Sequence, residues 1–313
     1  GGDDRVLEAD RLRFAVGAAD HPTDGLQNGM KAMKQYVEFK SKGELELRLF
    51  FNTLGGSLQL AEQIKNGTLD IAAVDDSVLG SFHKPMQVFQ IPYLFPSSPV
   101  AWEFLNGPFV NELTEDMRKA TGMRTLTFSE NGFRNLTNNV REIKGPEDLK
   151  GLKMRTMQSQ VYVNFMKSMG ASATPISWPE LVPALKQNVV DGQENAASTI
   201  FAGKLHEVQK FMSVNEHIFG LHLILINDGV FGKLSPDHKQ ILIDGARVHT
   251  AFANARKAMD GILDVDKIRE AGTKVYVTSP RPVIEFIASQ TGKEVVDKLL
   301  TAVGEAQKKV YGN

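Results

Sequence analysis

Two arginines occupy positions from which a guanidinium group could bind an anion. Arg155 ends a short predicted strand at 152–155 within the run 149–155, and Arg134 lies in the polar run 129–138. A guanidinium group at the carboxyl end of a strand can form a planar, two-point pair with a carboxylate. These residues predict a site for a small organic anion, with a solvated surface position as the alternative for either arginine.

The adjacent carboxylates Asp75 and Asp76 are a second candidate for chemistry. They follow an apolar run and could act as a general acid and base. They could equally close a strand and accept hydrogen bonds from loop amides. An enzyme that uses an α/β cleft to act on a small carboxylic acid therefore stays an alternative function.

Sequence motifs of the common enzyme and metal classes are absent. No G-x-G-x-x-G or G-x-S-x-G run occurs, and the Leu-Gly-Gly-Ser run 54–57 lacks the lysine of a phosphate-binding loop. The seven histidines include no pair at i, i+4, and the chain has no cysteine. The acidic run 264–266 lacks the glycine that a calcium loop needs. We expect neither a metal site nor a cofactor.

Composition excludes several classes of partner. The 313 residues carry 36 Lys+Arg against 37 Asp+Glu, a formal charge of −1, whereas a nucleic-acid-binding domain normally has a basic patch. The hydrophobic fraction of 42% is typical of a globular chain, and no apolar run approaches the ~18 residues of a membrane helix. The first residues lack the basic and apolar regions of a signal peptide, which predicts either a cytoplasmic protein or a chain whose leader is gone.

An α/β framework is expected to position these residues, because short strand-like runs alternate with longer helical ones. The amino-terminal part predicts a βαβαβ unit with a mainly parallel sheet, in the order strand 11–17, helix 24–42, strand 44–51, helix 57–64 and strand 69–74. Ligands bind outside the carboxyl ends of strands in such sheets. Residues 17–21, 52–57 and 75–77 are therefore expected at the mouth of a site.

A second unit is predicted to begin around residues 128–139. Its expected elements are a strand at 152–155, a helix at 159–169, a helix capped by Ser177, a strand entered from 188–195, a strand at 221–226, a long helix from 235 past 259, and a helical stretch from about 282.

Several runs, in this order along the chain, resemble motifs of the DctP-type TRAP transporter substrate-binding proteins. In the carboxyl-terminal half they are Asp148-Leu-Lys-Gly-Leu-Lys-Met-Arg155, Met169-Gly-Ala171, Thr174-Pro175, Glu180, Ala184-Leu185 and Val190-Asp-Gly-Gln-Glu-Asn195. In the amino-terminal half they are Asn52-Thr-Leu-Gly55, Gln63-Ile-Lys-Asn-Gly-Thr-Leu-Asp70 and Ile91-Pro-Tyr-Leu-Phe95. The resemblance extends from about Leu12 to Met259.

The resemblance implies a two-lobed, periplasmic-binding-protein-like α/β fold, with mixed sheets flanked by helices and a long helix that spans both lobes. The implied lobes are residues 1–132 with 221–260, and residues 133–220 with 261–313, and the ligand cleft lies between them. Such a protein is extracytoplasmic, or periplasmic, and delivers a small organic acid to permease subunits driven by an ion gradient. We expect a monomer, and the ligand-binding part of a sensor is a further alternative.

The resemblance also implies roles for individual residues. Arg155 would hold the ligand carboxylate, Arg134 would add a second cationic contact, and Asn195 would donate from the facing strand. The remaining implied ligand contacts are Asp75, for hydroxyl or amine groups, and the aromatic residues Trp178 and Phe133. Packing is the alternative role for Trp178, and a structural role is the alternative for Gln193 and Glu194, which share the motif of Asn195.

The ligand class stays open at this point. Gly17 and Gly56 align with positions where sialic-acid-binding members use polar side chains, so a sialate is not expected. A C4-dicarboxylate, an aromatic, indole or other monocarboxylic acid, and a sugar acid all fit the remaining pattern.

Overall fold

A computed structural model of the protein describes residues 12–18, 25–277 and 292–312. The strands are β1 (Leu12–Ala18), β2 (Leu45–Phe51), β3 (Ile71–Asp75), β4 (Met123–Asn138), β5 (Lys153–Thr156), β6 (Ser172–Pro175), β7 (Gly192–Ala196), β8 (Phe211–Asn227) and β9 (Lys274–Val277). The α-helices are α1 (Gly25–Lys40), α2 (Ser57–Asn66), α3 (Ser98–Leu105), α4 (Pro108–Thr121), α5 (Gln160–Ser168), α6 (Trp178–Lys186), α7 (Ala197–Ala202), α8 (Asp228–Gly232), α9 (Pro236–Glu270) and α10 (Lys293–Tyr311). Short 3₁₀ helices cover Asp76–Ser81, Lys84–Gln90, Pro146–Leu149 and Leu205–Glu207.

The described strands form one mixed sheet in the order β2-β1-β3-β8-β4-β7-β5-β6, and β9 pairs with β8. The predicted βαβαβ unit is present, because β1 is parallel to both β2 and β3. The sheet is mixed because β8 is antiparallel to β3, and β4 is antiparallel to both β8 and β7. The α/β class with a mixed sheet flanked by helices is thus confirmed.

Strands β4 and β8 are much longer than the sequence pattern indicates. β8 has 17 residues rather than the six of the expected strand 221–226, and β4 has 16. The carboxyl-terminal part of β8 pairs with β3, while its first residues pair with β9. β4 pairs with β7 only from Arg134 onward. β4 and β8 therefore connect the two ends of the sheet. The division into lobes at 132/133 and 220/221 stays a prediction.

Helix boundaries follow local capping chemistry. The side chains of Ser159 and Ser235 accept backbone N–H bonds at the starts of α5 and α9. Gly67 ends α2 in the left-handed region, with φ of 75°, which glycine adopts without steric cost. Ser177 is the N-cap of α6 as predicted, but its hydroxyl donates to Glu180 at 2.6 Å instead of capping a backbone amide.

The 35-residue helix α9 packs against α1, β4 and α7, so it touches elements from both ends of the sheet. Buried apolar side chains fill both faces of the sheet beneath the helices. Of the helical stretch expected from about residue 282, residues 282–291 lie outside the described residues, and α10 confirms the part from Lys293. Within the described ranges, no helix has both the length and the apolar character needed to cross a membrane.

Candidate functional site

A small cavity lies where the end of β3, the middle of β4 and the end of β7 meet the first turns of α2 and α6. Its volume is about 30 Å³. The lining residues are Ser57, Asp75, Asn131, Arg134, Met157, Trp178, Asn195, Thr199 and His222. Four of the six residues predicted as ligand contacts, namely Asp75, Arg134, Trp178 and Asn195, are therefore brought together.

Arg134 is fully buried and bound to a carboxylate of the protein itself. Its Nε and Nη2 donate to the two carboxylate oxygens of Glu194, at 2.5 and 2.9 Å. Nη2 also donates to the backbone carbonyl of Glu194 at 3.0 Å. Burial alone would lower the pKa of Arg134, but the charge and hydrogen bonds of Glu194, together with Tyr162 and Asp75, raise it overall. Gly220, on the facing strand β8, leaves room for the guanidinium group, since a Cβ there would lie 3.4 Å from Nη1.

Arg155 is also fully buried, but none of the described residues gives it a carboxylate partner. Its Nε donates to the carbonyl of Ile176 at 2.8 Å, whereas Nη1 and Nη2 have no hydrogen-bond partner within the described part of the chain. Burial lowers the pKa of Arg155 to about 10. Arg155 does not line the cavity itself, but it interacts electrostatically with Asp75 and Arg134, which do. Two adjacent free donors on one planar group can hold both oxygens of a carboxylate.

Glu194 is the buried counter-ion of Arg134, which is the structural role given above as the alternative to ligand contact. Burial would raise the pKa of Glu194, but Arg134 and a hydrogen bond from His217 lower it to about 2. His217 Nε2 lies 3.3 Å from the carboxylate of Glu194, and its Nδ1 lies 3.1 Å from Asn215 Oδ1. Burial lowers the pKa of His217, so the ring is neutral. A neutral ring that donates from Nε2 needs a donor at Nδ1, and turning the Asn215 amide over supplies it from the Nδ2 that lacks a partner.

The two carboxyl groups of Asp75 and Asp76 both accept backbone amides, as the non-catalytic interpretation expects. Asp75 Oδ1 accepts from the N–H of Ser77 at 3.0 Å, and Asp76 Oδ1 accepts from the N–H of Leu221 at 3.0 Å. Burial, together with the charge of Asp75, raises the pKa of Asp76 well above its usual range. Asp75 is the member of the pair that lines the cavity.

A hydrogen-bonded chain of polar side chains fixes the orientation of Asn195. Its Oδ1 accepts from the N–H of Ala196 at 2.9 Å and from Asn131 Nδ2 at 3.4 Å. Asn131 Oδ1 in turn accepts from the hydroxyl of Thr199 at 2.9 Å and from Lys257 Nζ at 3.3 Å. Since its oxygen is occupied by these donors, Asn195 turns its amide nitrogen to the other side, which suits a donor to a ligand.

The two aromatic candidates lie in different places. Trp178 forms a wall of the cavity and packs on Gly203, where a Cβ would come within 2.7 Å of the indole ring. Phe133 does not line this cavity. Its ring packs on Phe219, with centroids 4.9 Å apart, and it borders a separate pocket of about 200 Å³ beside Glu130 and Asn131. A role for Phe133 at the ligand stays a prediction.

Sequence reasoning missed several polar residues of the site. Tyr162 is fully buried on α5, its hydroxyl has no hydrogen-bond partner, and Arg134 lies over its ring at 5.5 Å. The other missed polar residues are Asn131, Thr199 and His222, and the apolar Met157 was missed as well. Ser57 lies in the run 52–57 that was expected at the mouth of the site. One signal was available, because Asn131 and Thr199 each lie within four residues of a predicted contact. Within the described residues, no group of three or more acidic or histidine side chains could hold a metal ion.

Comparison with known proteins gives the family. A family model described as bacterial extracellular solute-binding protein, family 7 (DctP), matches residues 16–300. The chain belongs to the DctP family. The resemblance seen in the sequence motifs is thus confirmed over most of the chain.

Curated and solved members of the DctP family match over nearly their whole length. The 2,3-diketo-L-gulonate-binding periplasmic protein YiaO of Escherichia coli is 29% identical over 309 residues, which cover 96% of this chain and 93% of YiaO. The sugar acid binding protein DctPAm of Advenella mimigardefordensis, solved with galactonate, is 29% identical with a TM-score of 0.90 and covers 95% of this chain and 99% of its own. A TRAP periplasmic solute binding protein of Polaromonas, bound to D-erythronate, is 26% identical with a TM-score of 0.88 and covers 94% and 98%.

Proposed function

We propose that this DctP-family protein captures a small organic acid in the cavity beside Arg155 and delivers it to the permease of a TRAP transporter. This proposal rests on the fully buried guanidinium group of Arg155, whose Nη1 and Nη2 have no hydrogen-bond partner among the described residues. A buried cation without a counter-ion is costly, and a ligand carboxylate removes that cost while forming two charged hydrogen bonds. Arg134 is already paired with Glu194, so it contributes a positive potential at the cavity rather than the main hydrogen bonds to the ligand carboxylate.

The polar lining supports a sugar acid or a related hydroxy acid as the ligand. Ser57, Asn131 and Thr199 provide hydroxyl and amide groups, and Trp178 provides a flat apolar wall. This combination suits a chain that carries hydroxyl groups along its length. One similar protein is named for 2,3-diketo-L-gulonate, and two similar structures were solved with galactonate and with D-erythronate.

Binding requires the walls of the cavity to separate, because about 30 Å³ holds only one or two water molecules. The rim is formed by the starts of α2 and α6, where a Cβ on Gly56 would lie 3.3 Å from Cβ of Ser177. We propose that the lobes 1–132 with 221–260 and 133–220 with 261–313 open and close about β4 and β8. The protein acts as an extracytoplasmic monomer, and release to the permease follows opening.

A thermal-shift screen against organic acids tests the proposed function. The panel contains aldonates, uronates, hydroxy acids, dicarboxylates, and aromatic and indole acids. A ligand at about 1,000 times its Kd adds about 4 kcal/mol to the free energy of unfolding. We expect hits within one chemical class, and we expect Arg155→Ala to abolish them while the exposed Arg247→Ala, a control on α9, leaves them unchanged.

The same screen separates transport from the enzymatic alternative. A solute-binding protein returns the acid unchanged after hours of incubation, whereas an enzyme converts it. Product formation, or hits that survive Arg155→Ala, contradicts the proposal.

A further inference from the structure

The cationic side chains around the cavity differ in how many of their hydrogen-bond donors lack a partner among the described residues. The charge of Arg134 is balanced by Glu194, which accepts from two of its nitrogens. Lys257 stands behind the wall, where it donates to Asn131 and Thr199. Among the arginines of the described residues near the cavity, Arg155 is the one whose two terminal nitrogens both lack a partner. Arg155 thus provides two adjacent hydrogen-bond donors for a carboxylate.

An acidic side chain of the protein already occupies the opposite part of the cavity lining. Asp75 Oδ1 accepts from the N–H of Ser77. Its Oδ2 lies 3.9 Å from Arg134 Nη1 and 4.0 Å from His222 Nε2, both longer than a hydrogen bond. This oxygen can therefore accept a hydrogen bond from a ligand hydroxyl. A second ligand carboxylate near Asp75 would instead meet a like charge at low dielectric.

Among the described residues, Arg134 presents its unpartnered Nη1 at 3.9 Å from Asp75 Oδ2, but the charge of Arg134 is already balanced by Glu194. His222 also lines the cavity, with Nε2 4.0 Å from the same oxygen. Burial keeps His217 neutral, and it favours the protonated form of Asp76. The carboxylate of Glu130 points away from the cavity, toward Ser98 and Trp102 on α3.

Given the proposed function, on which this step rests, we infer that the site selects hydroxylated monocarboxylates and rejects dicarboxylates of the same length. Arg155 binds the single carboxylate, and Asp75 is the specificity-determining residue that accepts a ligand hydroxyl and repels a second carboxylate. The preference expected from one uncompensated like-charge contact is at least ~100-fold in Kd.

Two pairs of acids that differ mainly in one carboxylate test this inference. Galactonate and galactarate share six carbons and their hydroxyl configuration, and D-erythronate and meso-tartrate share four carbons and theirs. Isothermal titration calorimetry of the full chain at pH 8, where histidine is ordinarily neutral, gives a Kd for each acid. The variants are Asp75→Asn, which keeps an acceptor oxygen but removes the charge, and Asp76→Asn as the matched control from the adjacent position.

Support requires that at least one monocarboxylate bind ~100-fold more tightly than its dicarboxylate partner. Asp75→Asn should then reduce this ratio at least ~10-fold, and Asp76→Asn should leave it unchanged. Equal binding of both members of a pair by the parent protein overturns the inference while leaving the proposed function intact, and this comparison does not depend on any variant folding. A ratio that Asp75→Asn leaves unchanged overturns the role of Asp75. Failure of all four acids and of the whole screen overturns the proposed function together with the inference.

Discussion

Replacing Arg155 separates a ligand-binding role from a structural one, because the two roles predict opposite effects on stability. Arg155→Met removes both free nitrogens, and each charged hydrogen bond contributes roughly 1.5–3 kcal/mol. We expect the binding free energy to fall by about 3–6 kcal/mol, which is a 10²- to 10⁴-fold increase in Kd. Arg155→Lys keeps the charge but not the fork, so it should lose about half of that energy.

The ligand-free protein should respond in the other direction. The pKa of Arg155 lies at about 10 against an ordinary 12.5, which corresponds to a burial penalty of about 3 kcal/mol for the charged form. Loss of the hydrogen bond from Nε to Ile176 costs about 1 kcal/mol. Arg155→Met is therefore expected to be at least as stable as the parent without ligand. Arg134→Met, the matched arginine of the same cavity, strands the buried Glu194 and should lose about 3–5 kcal/mol.

Isothermal titration calorimetry measures the first effect and urea unfolding without ligand measures the second. Binding by Arg155→Lys with the affinity of the parent would refute the two-point contact. A ligand-free Arg155→Met protein that loses as much stability as Arg134→Met would show that Arg155 holds the fold together, and the reasoning from its unpaired nitrogens would fail.

The remaining predictions concern the pH dependence of stability and one glycine that contacts Trp178. His249 is buried on α9 with a pKa lowered by burial to about 3, so its stabilising effect is complete above pH 6.5 and is lost as pH falls toward 3. The free energy of unfolding in urea should be lower at pH 5.5 than at pH 7.5, and this difference should be about 1.4 kcal/mol smaller in His249→Gln than in the parent protein. An equal difference in both proteins would contradict the assignment to His249. Glu194, with a pKa near 2, stabilises the folded protein by about 3 kcal/mol above about pH 4.5, and this contribution is lost as pH falls from 4.5 toward 2. When the free energy of unfolding is measured over this pH range, Glu194→Gln should lack that part of the decrease. Gly203→Ala should displace Trp178 and weaken ligand binding in calorimetry, whereas Gly232→Ala, which meets no atom within 4 Å, should bind as the parent does; equal binding by both would exclude a tight contact at the indole.

The sequence predicts the parts of this fold that depend on local chemistry. The βαβαβ unit, the glycine that ends α2 and the N-cap Ser177 are visible because periodicity and capping are properties of adjacent residues. Position at a strand end likewise singled out Arg155. The strand end of Arg155 is visible in its own short segment, although its hydrogen-bond partner Ile176 is 21 residues away.

Features that depend on distant partners could not be predicted in this way. The true length of β4 is hidden because register shifts at Thr125/Thr127, Glu130/Gly132 and Arg134/Leu136 break the two-residue alternation. Glu194 is 60 residues from Arg134, so nothing in its own neighbourhood indicates that it is a buried counter-ion. Tyr162 looks like an ordinary apolar-face residue of a helix, and only the assembled site reveals its unpartnered hydroxyl.

The placement of the cavity walls bears on how this scaffold could acquire new ligands. Arg134 and Glu194 lie on central strands and are bound to each other, so a change at either leaves a buried charge behind. Ser57 and Trp178 lie in the first turns of α2 and α6, and neither takes part in an ion pair of the described residues. Substitution of Trp178 alters the shape of the cavity without breaking a hydrogen bond of the strands, whereas Ser57 accepts from the backbone N–H of Asp75 on β3 at 3.1 Å. Stability thus holds the buried ion pair of the site in place, whereas the rim at Trp178 can vary and change which ligand fits.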